Sequence, residues 1–175
     1  MLIELSEIKG KQVGALEEGA LIGRVEKIII NPDDVQIIGL LVKVPGFLSR
    51  PKAVSFLDVV DIDSSAVVIR SASSLVEPGE IVRLDKLIKY KFEFIGLPVK
   101  NKNNKVIGRV NDAVVETAGG DILRIYVRNL FNDRVFERSL IKKVTLKEVI
   151  VNETADARRS KARANSELAE VKSTT

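Results

Sequence analysis

The chain has no histidine, no cysteine and no tryptophan among its 175 residues. Without histidine it lacks the commonest general base, and without histidine and cysteine it lacks the usual zinc ligands and the Ser-His and Cys-His nucleophile pairs. The absence of cysteine also excludes disulfide bonds, which is typical of a reducing compartment. We therefore predict a protein that is not an enzyme, binds no cofactor or metal ion and has no small-molecule substrate.

Two targeting features are also missing. The first residues carry no basic stretch followed by an apolar core, as a secretion signal would. No run approaches the roughly 20 apolar residues of a membrane-spanning helix. Together with the lack of cysteine, these absences predict a cytoplasmic protein without a transmembrane segment.

The acidic side chains offer one dense cluster, formed by Asp58, Asp61 and Asp63. A hard cation such as magnesium or calcium binds to oxygen ligands of this kind. However, Asp63-Ser64-Ser65 is typical of a turn in which the carboxylate accepts hydrogen bonds from the backbone that follows. We interpret the cluster as turn chemistry rather than as a metal site.

An internal repeat is the most informative pattern that is present. The tetrapeptide Ile22-Gly23-Arg24-Val25 returns 85 residues later as Ile107-Gly108-Arg109-Val110. The apolar segments at 37–42 and 122–127 keep the same offset. A repeat of this length predicts two domains rather than a solenoid, and units this small need mutual contact to bury enough surface.

Strand signals dominate both repeats, because short β-branched runs are bounded by turn residues. Short strands with open edges invite aggregation, so we expect each set to close into a barrel. The predicted fold class is therefore mainly all-β, with two small β-barrels in tandem. A change of face along the strand after each tetrapeptide predicts a β-bulge near 26–27 and 111–112.

Between the repeats, Pro78 suits a first helical turn, and Ile81, Leu84 and Ile88 recur at helical spacing. We predict a short linker helix that packs against a barrel. The charged stretch after Val151 has too little apolar surface to offset the entropy of ordering, which predicts a helical or disordered tail. The predicted divisions are a first barrel at 1–74, a linker at 75–93, a second barrel at 94–151 and a tail at 152–175.

These segments resemble the PRC-barrel domain. The resemblance rests on Gly10-Lys11-Gln12-Val13, on Ile22-Gly23-Arg24-Val25 and on Phe56-Leu57-Asp58-Val59 closing on Val67-Val68-Ile69. A second copy runs from Gly96-Leu97-Pro98-Val99 to Val151. Such domains occur in the H subunit of photosynthetic reaction centres and at the C-terminus of a ribosome maturation factor. The resemblance implies two compact barrels of about six strands each, and a non-enzymatic adaptor that holds other macromolecules.

Apolar side chains at unusual places are the first candidate binding residues. Alternation along the strands assigns Ile38, Leu40 and Val42 to the inside of the first barrel, which leaves Leu41 facing outward. The hairpin tips place an aromatic residue beside a leucine, where polar residues are usual. The predicted partner-binding residues are Leu41, Phe47, Leu48, Leu130 and Phe131. Alternatively, the tips fold back to plug the barrel ends.

Positive charge in the second repeat supplies another candidate surface. Residues 94–151 hold 11 Lys and Arg against 6 Asp and Glu, whereas 1–70 hold 8 against 10. Alternation directs Arg124, Tyr126 and Arg128 outward and Leu123, Ile125 and Val127 inward. The candidate residues for RNA or an acidic partner are Arg124, Tyr126, Arg128, Arg134, Arg138, Lys142 and Lys143. The alternative is a solvated face, because the charge excess is modest for a nucleic-acid binder.

The repeated Arg24 and Arg109 are predicted to be structural, with each stem covering a barrel and each head paired to a carboxylate. Our leading functional hypothesis is an adaptor or scaffold that binds a protein partner or a second copy of itself. The alternative is an RNA- or ribosome-associated factor that uses the basic second barrel, whose affinity would fall steeply with salt.

Overall fold

The computed structural model describes residues 1–46, 49–130 and 132–152. The predictions made for Phe47, Leu48, Phe131 and the tail beyond Asn152 lie outside these residues. In chain order, the N-terminal part contains β1 (Leu2–Glu4), α1 (Leu5–Ile8), β2 (Gln12–Ala15), β3 (Ala20–Asn31), β4 (Gln36–Lys43), β5 (Lys52–Ser55), β6 (Val59–Ile62), β7 (Ala66–Ile69) and α2 (Val82–Lys89). The remainder contains β8 (Pro98–Asn101), β9 (Val106–Glu116), β10 (Ile122–Arg128), β11 (Asp133–Glu137), β12 (Ile141–Val144) and β13 (Val149–Val151).

The strands form two sheets with the same order. The first runs β5-β4-β3-β2-β7-β6, and the second runs β11-β10-β9-β8-β13-β12. Neighbours pair antiparallel except for β2 with β7 and β8 with β13, which are parallel. Each sheet curls so that its two end strands are joined by a single 3-10 turn, at Phe56–Asp58 and at Arg138–Leu140. The prediction of a mainly β fold made of two barrel-like units is confirmed.

The register of the long hairpins repeats in detail. Pairing shifts around Glu26 in β3 and around Asn111 in β9, where the β-bulges were predicted. A second shift leaves Ile38 of β4 without an opposite residue in β3. Its counterpart, Leu123 of β10, likewise has no opposite residue in β9. Because a bulge residue turns away from the regular alternation, Ile38 and Leu123 are only half-buried rather than on the inner face.

The predicted linker helix is present as α2, preceded by a 3-10 turn at Pro78–Glu80. Leu84 and Leu87 are its buried residues. The helix lies against β4, because a Cβ atom built on Gly39 would come within 2.6 Å of a Leu84 methyl carbon. A glycine at that position lets the helix approach the strand closely.

Two predicted outward positions are buried, which corrects the assignment of Leu41 and Tyr126 to exposed faces. Leu41 is 9% exposed and follows Gly39 by two residues on the strand that α2 covers. Tyr126 is 2% exposed and packs with Val114, Val135 and the partly buried Leu2 of β1. Alternation assigned the side of the sheet, but segments distant in sequence cover the outer faces of both strands.

The junction between the barrels follows the repeat. Ile37 N–H donates to Gly120 O at 2.8 Å, and Ile122 N–H donates to Val35 O at 3.2 Å. The two donors, Ile37 and Ile122, are 85 residues apart, and so are the two acceptors, Val35 and Gly120. The two bonds therefore join equivalent positions in opposite directions. This reciprocity is the signature of an isologous, two-fold-like contact.

The segments that lead into each barrel also cross to the opposite one. Ser6, just before β2, donates its N–H and hydroxyl to the carboxylate of Asp112 in β9, at 3.1 and 2.5 Å. Lys27 of β3 forms an ion pair at 2.6 Å with Glu93, just before β8. Lys27 and Asp112 are equivalent positions of the repeat. The expected contact between the copies is therefore present.

The N-terminal strand extends this crossing. Although 1–74 was predicted as the first barrel, β1 pairs with β9 of the second sheet, with Ile3 opposite Val115. One continuous cluster of buried apolar side chains runs through both barrels. The two sheets are thus distinct in hydrogen bonding but share a core.

Candidate interaction surfaces

The two barrels carry a depression at the same place, beside the repeated tetrapeptide. We define the first edge surface as Leu21, Arg24, Lys43 and Pro45, and the second edge surface as Val106, Arg109, Arg128 and Leu130. Each residue of the second set lies 85 positions after its counterpart. The depressions measure about 330 and 660 Å³. The repeat therefore duplicates a surface as well as a fold.

The repeated glycine builds both depressions. A Cβ atom on Gly23 would meet the carbonyl oxygen of Lys43 at 2.6 Å, and one on Gly108 would meet that of Arg128 at 2.6 Å. Such distances leave no room for a side chain. Glycine is required here because the neighbouring strand passes so closely.

The repeated arginine spans each depression. Arg24 Nη1 donates to Gly10 O at 3.2 Å, and Arg109 Nη1 donates to Gly96 O at 2.8 Å. The structural role predicted for these residues is consistent with this geometry, but the predicted carboxylate partner is wrong, since each head binds a backbone carbonyl. Both side chains remain exposed, so each presents a cation that is fixed at one end of its surface.

Apolar side chains stand beside these cations in solvent. Leu21 is 63% exposed, Val106 is 54% exposed and Leu130 is 93% exposed. Leu130 therefore does not fold back as a plug of the barrel end. Isolated exposed apolar residues are common, but the same apolar and cationic pair at two equivalent places favours a binding role.

The two surfaces differ in charge compensation. Arg128 Nε lies 3.3 Å from Asp133 Oδ1 across the β10–β11 pair. Lys43, its counterpart, has no ion-pair partner among the residues that the structure describes. The first edge surface therefore carries the less compensated charge.

The predicted basic face of the second barrel is not one continuous patch. Arg124 lies opposite Glu137 across the β10–β11 pair, with its Nε 3.6 Å from the carboxylate, and its side chain is 18% exposed. Tyr126, beside it, is buried, and burial raises the pKa of its phenol to about 12. This stretch of strand therefore cannot offer the exposed aromatic and cations that were predicted.

The remaining basic candidates are dispersed. Arg138 Nη2 donates to Asp34 O of the first barrel at 3.3 Å, so it joins the two repeats. Arg134 is half-buried, whereas Lys142 and Lys143 are exposed. Among the predicted set, only these two lysines and Arg128 present largely exposed cations.

Two carboxylates, those of Asp63 and Glu18, accept hydrogen bonds from turns of the backbone. Asp63 accepts hydrogen bonds from the Ser65 hydroxyl and from the N–H groups of Ser65 and Ala66, which holds its pKa below the usual range. This is the turn that the sequence predicted. Glu18 accepts from Ala72 N–H and the Ser71 hydroxyl, and its pKa is lowered for that reason. Within 1–46, 49–130 and 132–152, no three acidic side chains are grouped to hold a metal ion.

Sequence reasoning identified Leu130 and Arg128 but missed Leu21, Val106 and Lys43. The signal was available, because Leu21 and Val106 precede the repeated tetrapeptide by one residue in both copies. An apolar residue that repeats where the strand is exposed is not explained by the core. Of the helices described, none is long and apolar enough to cross a membrane.

Comparison with known families agrees with the internal repeat. The model of the PRC-barrel domain matches the chain twice, at residues 1–76 and 88–158. The two matches together span most of the chain, and each contains one of the six-stranded arrangements. No curated protein matches the chain.

Proposed function

The chain belongs to the PRC-barrel domain family, and from that premise we propose that it is a non-catalytic, cytoplasmic adaptor that binds protein partners through its two edge surfaces. The duplicated pairing of an exposed apolar residue with an exposed cation carries this proposal. Apolar contact supplies affinity, and the cation selects a partner with a nearby carboxylate.

Duplication gives the proposed adaptor a physical advantage. Two equivalent surfaces on one chain can bind two copies of one partner, or two sites on a dimeric partner. The second contact is then intramolecular and raises the overall affinity without new chemistry. Weak individual surfaces of this size are sufficient for such a role.

Quantitative affinity capture from the native host tests the proposal. The bait is compared with Leu21→Asp, with Val106→Asp and with the double variant. We expect a set of proteins whose captured amount falls with either single substitution and is lost with both. The reason is that burying a carboxylate against the partner is costly. Leu57→Asp is the matched control, since Leu57 is 80% exposed and lies outside both surfaces. Equal capture by all four baits would reject the proposal.

A second candidate function is RNA binding by the basic half of the chain. The exposed pair Lys142 and Lys143 favours it, whereas the carboxylates opposite Arg124 and Arg128 weaken it. Repeating the capture at low and high salt separates the candidates. Protein contacts at the edge surfaces should persist, while RNA-dependent contacts should fall steeply through counterion release.

A further inference from the structure

A third concave surface lies where the two barrels meet α2. This junction groove is formed by one side of α2, the β3–β4 turn and the loop between β12 and β13, and it encloses about 480 Å³. Six of the residues that line it are Arg83, Lys86, Leu87, Tyr90, Lys143 and Leu146. Both barrels and the linker contribute to it.

The groove is cationic. Arg83 and Lys86 come from α2, and Lys143 comes from the second barrel. None of the three has an ion-pair partner among the described residues. Asp85, on the same helix, is bound to Lys89 at 2.7 Å. Asp33 is the one carboxylate of the lining. Three converging positive charges against one negative charge favour an anionic ligand.

The groove also has apolar lining residues, which favour a ligand that carries apolar groups as well as charge. Leu87 is 8% exposed and forms part of the floor. Tyr90 is 62% exposed and Leu146 is 41% exposed at the rim, so both present uncovered surface. A ligand that fits must bring apolar groups to these side chains and carboxylates to the cations.

We propose that the junction groove binds an acidic peptide segment of a partner protein, with leucine or phenylalanine side chains spaced between its carboxylates. The volume suits a few residues of an extended or single-turn segment rather than a folded domain. This binding mode does not depend on the edge surfaces. Because the groove joins both barrels, its ligand would hold them together.

The helix predicts the stoichiometry. The two edge surfaces are duplicated, but α2 has no counterpart of its length before β2, where α1 spans only Leu5–Ile8. The junction groove therefore occurs once in the described chain. The acidic segment should bind one to one, whereas a partner of the edge surfaces binds two to one.

Fluorescence anisotropy with a defined probe tests the proposal. The probe is a labelled peptide in which pairs of glutamates alternate with leucine and phenylalanine, and the comparison peptide replaces every glutamate by lysine. We expect saturable one-to-one binding of the glutamate peptide alone. Arg83→Glu on the helix and Lys143→Glu on the second barrel should each weaken it roughly tenfold, because each places a like charge against the ligand.

Matched variants distinguish the groove from general charge. Lys102→Glu changes the net charge equally at an exposed turn outside the groove, and it should leave the affinity within about twofold, as expected for a distant screened charge. Leu21→Asp and Val106→Asp should also have no effect, so failure here is separate from failure of the edge surfaces.

Three results would overturn the inference: equal binding of the lysine peptide, equal loss in Lys102→Glu, or no loss in either groove variant. Displacement of the peptide by oligouridylate at low salt, in a manner that Lys143→Glu abolishes, would assign the groove to RNA and would also overturn it. Thermal melting of each variant establishes that its fold is unchanged.

Discussion

The two barrels share a strand order, but different segments of the chain pack on their outer faces. In the first barrel, β4 presents Gly39 and Leu41; Leu84 of α2 packs on Gly39, and Leu41 is buried. In the second barrel, the equivalent residues are Arg124 and Tyr126. Arg124 forms an ion pair with Glu137, and Tyr126 packs against Leu2 of β1. Residues that form the sheet keep the same type in both copies. Residues on the outer face differ between the copies, because different segments pack on them. The duplicated fold is thus the frame, and the segments between the copies make them distinct.

The largest difference between the barrels is expected in their cores. Phe136 and Val54 occupy equivalent strand positions, opposite Ile125 and Leu40, and both are fully buried. Truncation of Phe136 to Ala removes a ring and should cost about 4 kcal/mol of unfolding free energy, whereas Val54→Ala should cost about 2 kcal/mol.

Denaturant titration measures both values. Because the core is continuous across the sheets, we expect a single transition for each variant. Two separated transitions, with Phe136→Ala shifting only one, would show that the barrels unfold independently.

Both repeated glycines should be intolerant of a side chain, and Gly108 more so, because its φ of +154° lies in a region that side chains rarely adopt. Gly23→Ala and Gly108→Ala each force a Cβ atom to within 2.6 Å of a backbone oxygen. This contact should destabilise each variant by about 3 kcal/mol, the upper part of the range for overpacking. Gly79→Ala is the control, since a Cβ atom there meets nothing within 4 Å. A thermal stability of Gly23→Ala or Gly108→Ala equal to that of Gly79→Ala would contradict the close approach of the neighbouring strands.

The two crossing contacts should differ in strength although they occupy equivalent positions. Asp112 is 4% exposed and accepts bonds from Ser6 and from Ala113 N–H. Asp112→Ala removes these bonds at a buried position and should cost about 2 kcal/mol. Lys27→Ala removes an ion pair whose partner, Glu93, is 66% exposed, and should cost about 0.5 kcal/mol. Equal costs from chemical denaturation would place both contacts in the same environment.

The smallest effect is confined to alkaline pH. Burial, followed by the nearby carboxylate of Glu4, raises the pKa of Tyr126 to about 12, above the ordinary tyrosine value of 10.0. The folded state then retains a proton that the unfolded state loses, so stability is intact below pH 10 and declines as the pH rises towards 12. The equivalent residue of the first barrel, Leu41, does not titrate.

Tyr126→Phe should therefore remove this alkaline decline, because the variant has no phenol to ionise at that position. Ultraviolet titration should assign the late phenol ionisation to Tyr126, one of two tyrosines in the chain. An unchanged alkaline decline in the variant would refute the assignment.

Much of the fold could be predicted because the same pattern of apolar residues occurs in both copies of the repeat. The bulges at Glu26 and Asn111 followed from the same change of face in both copies. The linker helix followed from the spacing of Ile81, Leu84 and Ile88. These features depend on local sequence, so a local pattern was sufficient.

The covers could not be predicted in the same way. Alternation places Leu41 and Tyr126 on the outer side of a sheet, but it does not say what lies there. The covers are α2 and β1, which reach these strands through tertiary contacts. For the same reason the junction groove was not found, since its cations come from two separate regions and meet only in the folded chain.

The proposed function requires that two equivalent edge surfaces each bind a protein partner. Its most direct test is the stoichiometry of a captured partner bound to the purified chain, measured by native mass spectrometry with wild type, Leu21→Asp and Val106→Asp. We predict two copies of a monomeric partner per chain for wild type, and one for either variant. One copy in all three proteins, or complete loss with one variant and none with the other, would contradict the proposed function.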